Sequence, residues 1–185
     1  MVVKIMNLKK RKSFRKWHLA KTETDNTIVE LEWALMRFMT AFNRYNENIV
    51  KSISGHTLSA SEINLLHVLR MHDTPKTAGV LASLLNRHDY SNIQYGLRKL
   101  RELKLIRLHA KSGTKQYSYE MTAEGTKITD KFVVFREENI SEPIGRLHDW
   151  EEKFDATTQI TRKLTGIYED AAREALAYWE DDDQE

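Results

Sequence analysis

The chain has 185 residues, 41% hydrophobic and 30% charged, with a net charge of +2, no cysteine, two prolines and seven glycines. That length holds one domain, or one domain with a long helical extension. The missing cysteines exclude disulfides and thiolate metal sites and suit a reducing cytoplasm. No apolar run approaches the ~20 residues of a membrane span, so no membrane partner is expected.

The charge is strongly segregated. Residues 1–21 carry Lys4, Lys9, Lys10, Arg11, Lys12, Arg15, Lys16 and Lys21 and no acid. The opening MVVKIMNLKKRKSF is basic but lacks the apolar core of a secretory signal. Residues 87–115 hold eight more Lys and Arg against only Asp89 and Glu102. With a net charge of only +2, the remainder is acidic. Two basic regions on an acidic background point to a localised polyanion site.

After the basic arm, Thr24 or Asp25 can cap a long helix through NTIVELEWALMRFMTAFNRYNENIVKSIS. Ile28, Leu31, Leu35, Phe38, Phe42, Tyr45 and Ile49 recur at alternating spacings of three and four, a seam made to pack on another helix. Trp33, Met36 and Met39 extend the apolar flank. The same rhythm returns near the other end, from about Leu147 through Trp150, Phe154, Thr157, Thr161, Leu164, Tyr168, Ala171, Ala175 and Tyr178, widened by Ile160 and Ile167. An intramolecular pair could satisfy both seams, but the flank of Trp33, Met36 and Met39 still needs cover, which favours a homodimer built from the terminal helices.

The middle is made of short elements. LSASEINLLHVLRMHD reads as a helix capped by Ser59, with Ile63, Leu66 and Leu69 or Arg70 along one side. Pro75 then breaks the chain and Thr77 caps AGVLASLLNRH, which buries Val80 or Leu81 together with Leu84 and Leu85. Asp89 or Ser91 caps the helix in SNIQYGLRKLRELKLI, whose Ile93, Leu97 and Leu100 share one face. Beyond Leu105 the period falls from 3.6 to 2. Ile106, Leu108 and Ala110, then Tyr117, Tyr119 and Met121, alternate with polar residues around a turn at Ser112-Gly113-Thr114. Lys111 and Lys115 stand at the hairpin tip, and Thr122 caps the next helix.

This is the element order of a winged helix-turn-helix. A helix read against the major groove needs a buried stripe to hold it and polar residues near its N-terminal end. Asn92 and Gln94 each match adenine bidentately, and Arg98 has the fork for guanine or phosphate. Ser91 suits a phosphate oxygen. Tyr95 suits a thymine methyl or the backbone, while Lys99, Arg101 and Arg87 suit phosphates.

The landmarks LSASEINLLHVL, TPKTAGVLASLLN, SNIQYGLRKLRELKLI and YEMTAEG, in this order, make residues 58–125 resemble the MarR family of bacterial winged-helix transcription regulators. The resemblance implies a mainly α fold with a small β-hairpin wing, flanked by long terminal dimerisation helices. It divides the chain into a basic arm (1–22), an N-terminal dimerisation helix (23–56), a DNA-binding domain (57–125) and C-terminal dimerisation helices with an acidic tail (126–185). The expected DNA-binding set is Lys76, Thr77, Arg87, Ser91, Asn92, Gln94, Tyr95, Arg98, Lys99, Arg101, Lys111 and Lys115. A crevice for a small aromatic effector would involve Trp33, Arg37, His67 and Met71.

Three departures accompany the likeness. The hairpin AKSGTKQ lacks the family's D-x-R-x-x-R wing signature, so Lys111 or Lys115 would replace a minor-groove Arg. Lys104 stands where the family has Gly, which puts a lysine in a left-handed helix end. The arm is longer than the family needs, which suits it to follow the phosphate backbone or to enter a minor groove. His67 and His72 are five apart and do not share a helix face, and no phosphate-binding Gly-rich loop or nucleophile motif occurs, so neither a metal, a cofactor nor catalysis is expected. The expected function is that of a homodimeric, sequence-specific duplex-DNA regulator on a pseudo-palindromic operator. The alternative is a winged-helix dimer that engages another protein.

Overall fold

Thr22 starts the first helix, two residues before the earlier of the two caps expected. In the computed structural model, which describes residues 17–109 and 117–182 and side chains as far as 176, α1 spans Glu23–Ser54. Thr22 Oγ1 accepts from the Asp25 amide at 3.1 Å and Asp25 Oδ2 accepts from the Thr22 amide at 2.8 Å, a reciprocal capping box. Asp25 is therefore the box's third helical residue. Gly55, at φ 73°, closes the helix in the left-handed conformation.

Ser59 caps α2 (Ala60–Arg70) as expected, again with a capping box, closed by Glu62. Thr77 caps α3 (Ala78–Leu84), its hydroxyl accepting from the Val80 amide at 3.2 Å. α3 is shorter than its sequence suggests: Leu81 is buried, but Val80 and Leu84 are nearly half exposed. α4 spans Tyr90–Glu102. Strands β1 (Ile106–His109) and β2 (Ser118–Met121) pair antiparallel, Ile106 opposite Met121 and Leu108 opposite Tyr119. The chain before α3 joins this hairpin through one more bridge, with Lys76 and Tyr119 exchanging backbone hydrogen bonds at 3.0 and 2.8 Å. The hairpin is thereby tied to the helices, which a two-stranded ribbon needs in water.

α5 (Ala123–Arg136) begins where Thr122 accepts from the Gly125 amide at 3.1 Å. The Thr122 hydroxyl also donates to the Lys104 carbonyl at 2.7 Å, so one side chain joins the end of α4 to the start of α5. Gly125 presses on the same corner. A Cβ there would lie 2.1 Å from the Leu105 carbonyl oxygen, so only glycine fits.

One core holds the first unit of the chain, which runs as far as Phe132. Ile63, Leu65, Leu66 and Leu69 of α2, Leu81 of α3, Ile93, Leu97 and Leu100 of α4, and Ile128 and Phe132 of α5 meet in it with Leu105, Ile106 and Tyr119. α1 enters only at its C-terminal end, through Ile49 and Val50. Upstream, Ile28, Leu31, Met36, Phe38, Met39 and Phe42 are between 40% and 60% exposed, and the Phe38 and Phe42 rings stack at 5.9 Å.

The second unit, from Val133 on, contains a π-turn (Glu137–Ser141), α6 (Glu142–Gly145) and the 33-residue α7 (Trp150–Asp182). The sequence suggests a helix from about Leu147. The chain instead passes through Asp149 at φ 55° before α7 begins. Leu147, Phe154, Ile160, Ile167, Tyr168 and Leu176 are all exposed. Among the described residues no helix is long and apolar enough to cross a membrane.

Candidate nucleic-acid interface

The spacing of Ile93, Leu97 and Leu100 decides which way α4 faces, and all three are fully buried. Gly96, on the same side, lets the helix approach α2 closely. A Cβ there would lie 2.8 Å from Leu65 Cδ1. The opposite face is left to solvent, with Ser91, Asn92, Tyr95, Arg98 and Arg101 exposed and Gln94 partly so. Tyr95 is 59% exposed.

Lys104 ends the helix at φ 59°, as its position in a glycine slot predicts. Its amide donates to the Arg101 carbonyl at 2.9 Å and the Leu105 amide to the Leu100 carbonyl at 3.0 Å, a Schellman closure made with a residue that has a Cβ. Between this end of α4 and β1 lies an open cleft of about 650 Å³, bordered by Arg98, Arg101, Lys104 and Arg107 with Glu102 as its acid. Arg107 is shared with the hairpin, its Nε donating to Glu120 at 2.6 Å. That bond holds the Glu120 carboxyl below its ordinary range.

Asp89 precedes α4 without capping it through its side chain. Its carboxylate accepts instead from Arg87 Nε at 2.7 Å and from Asn92 Nδ2 at 3.1 Å. These bonds, Arg87's foremost, hold the Asp89 carboxyl well below the usual carboxylate range. Arg87 also donates to the Ser61 hydroxyl on α2.

Several of the expected contact residues are engaged within the protein itself. Lys76 is not a surface cation. It is 6% exposed, and its ammonium donates to the carbonyls of Leu69, Met71 and Thr74. It closes the C-terminal end of α2, where a cation complements the helix dipole, and burial pushes its pKa down. Lys99 turns away from the outer face of α4 to pair with buried Glu62 at 2.8 Å, so it braces α4 on α2. Arg87 is neutralised by Asp89 and is only 22% exposed. The half-buried Thr77 is engaged as a helix cap. The arm before Trp17 and the hairpin tip with Lys111 and Lys115 lie outside the described residues.

Of the residues expected around an effector crevice, Trp33 packs on Trp17 with ring centroids 5.6 Å apart, and His67 meets the Phe132 ring at 4.6 Å. Arg37 and Met71 are exposed. The two aromatic anchors are thus engaged with other rings.

Glu62, Asp89, Gly96 and Thr122 set this surface without standing out as ligands. Glu62 was legible as the fourth residue of S-A-S-E, a capping box. Asp89 and Thr122 were legible only as candidate helix caps, and Gly96 carries no sequence signal of its own.

Residues 58–125 match the family model described as a winged helix DNA-binding domain. No curated protein matches the chain in sequence. Among solved structures, a MarR family transcription regulator aligns with a TM-score of 0.66 at 14% identity, over 82% of this chain and 96% of its own. A MarR/EmrR family transcriptional regulator from Acinetobacter sp. ADP1 aligns at 0.62 with 16% identity, over 76% and 95%. The M. tuberculosis transcriptional regulator MosR, solved in complex with DNA, aligns at 0.55 with 17% identity, over 73% and 96%.

Proposed function

We propose that this chain, which carries a winged helix DNA-binding domain and shares the fold of MarR family regulators, is a sequence-specific transcription regulator. It acts as a homodimer in the bacterial cytoplasm. α4 enters the major groove of a pseudo-palindromic operator, one copy per half-site, and the hairpin tip and basic arm follow the phosphate backbone. The observation that carries this reading is the outer face of α4. Asn92, Tyr95, Arg98 and Arg101 stand in solvent on a helix whose other side is locked into the core. Two exposed groups match base edges, the carboxamide and the Arg98 fork, and the cations of the adjoining cleft match phosphates.

The dimer rests on the long apolar seam of α1, left uncovered along most of its length. Exposed stripes of this extent mark association. No catalytic step belongs to this reading.

Footprinting on duplex from the region upstream of the protein's own gene tests it. The expected result is two protected segments on one face of the DNA, about one helical turn apart. A single protected segment overturns the dimeric mode of reading. No protection at any concentration overturns DNA recognition itself.

A further inference from the structure

Aspartate is a favoured helix cap, yet Asp89 gives none of its side chain to the backbone amides of α4. Its carboxylate is instead the centre of a chain of hydrogen bonds that starts at Ser61 on α2, runs through the Arg87 guanidinium and ends on the Asn92 carboxamide on the outer face of α4. We propose that Asp89 is a specificity-determining positioning residue, which fixes the Asn92 carboxamide in the orientation that reads adenine.

The argument is one of donor and acceptor count. The carboxamide has two N–H donors and one acceptor oxygen. A carboxylate accepts only, so the atom 3.1 Å from Asp89 Oδ2 must be the nitrogen, and one N–H is spent there. The second N–H and Oδ1 remain for a base edge. That pair complements the N7 acceptor and N6 amino donor on the major-groove edge of adenine. Guanine presents two acceptors on the same edge, so the fixed Oδ1 would face O6 with no proton between them. Without Asp89 the carboxamide is free to turn over, and the discrimination is lost.

Asp89 itself cannot drift, because Arg87 grips it and is anchored on α2. The network therefore transfers the rigidity of the core to an exposed side chain. This inference rests on the reading of α4 as a base-reading helix.

The test is selection of bound duplexes from a random-sequence pool by the full-length protein and by Asp89→Ala, Asp89→Asn and Asn92→Ala. The expected result is adenine enriched at one position of each half-site by the unmodified protein and lost in Asn92→Ala. Asp89→Ala lowers the adenine-over-guanine preference at that same position roughly tenfold, the discrimination of a good bidentate pair. Asp89→Asn, which keeps an acceptor oxygen, restores most of it; a variant that merely misfolds would not show this pattern. If Asp89→Ala keeps the full preference that Asn92→Ala loses, the role of Asp89 is overturned and base reading by α4 stands. If the unmodified protein enriches no base at all, both fall.

Discussion

Arg98 and Lys99 are neighbours in sequence and opposites in role. Arg98 stands in solvent on the outer face of α4, while Lys99 reaches back to buried Glu62. Arg98→Ala is expected to weaken binding to a selected duplex by about 1–3 kcal/mol with relaxed base preference and unchanged folding stability, read by competition titration. Lys99→Ala leaves the buried Glu62 carboxylate with the Ser59 amide but without its cation, and is expected to cost on the order of 2 kcal/mol of folding stability in a denaturant titration. Charge alone cannot separate these two residues, and the same ambiguity misassigns Lys76. The sequence shows a lysine between Pro75 and Thr77, with no periodicity to say that its backbone pairs with Tyr119 and draws the side chain inward. The apolar residues of α4 were legible because three of them keep one helical face. The cations were not, because a flexible charged stem can point either way.

Elements were most legible where local chemistry and hydrophobic period agree. Ser59 and Thr77 cap where they are expected, and the change of period after Leu105 marks the hairpin. Less legible were features set by close approach between distant segments. Gly125 is the clearest case, since the atom it avoids is the carbonyl of Leu105. Gly125→Ala is expected to cost about 3 kcal/mol or more, as a lowered denaturant midpoint, because backbone rather than a movable side chain must give way. Lys104 was legible only through the resemblance, which puts a glycine at this helix end, and its φ is positive. Lys104→Gly should raise folding stability by about 1 kcal/mol by relieving the left-handed conformation. The same variant is expected to show a shallower salt dependence of DNA binding, because the cleft loses a cation.

At the scale of the whole molecule, the heptad-like seam of α1 was plain in sequence, but its partner was not. Only its C-terminal end, Tyr45, Ile49, Val50 and Ile53, is spent on the core, and the stacked Phe38 and Phe42 remain exposed. Phe42→Asp is expected to leave the monomer folded and shift sedimentation from dimer to monomer, since a charge in an apolar seam costs several kcal/mol on association. A variant that sediments as the unmodified protein would move the dimer contact elsewhere. The central claim is that α4 reads sequence, and fluorescence anisotropy tests it most directly. A labelled duplex from the upstream region is titrated with protein at several salt concentrations and with unrelated competitor DNA. Binding that withstands the competitor and falls steeply with salt is the predicted result. Binding that is absent at low salt, or that unrelated DNA removes equally well, would contradict it and leave the basic face to a different partner.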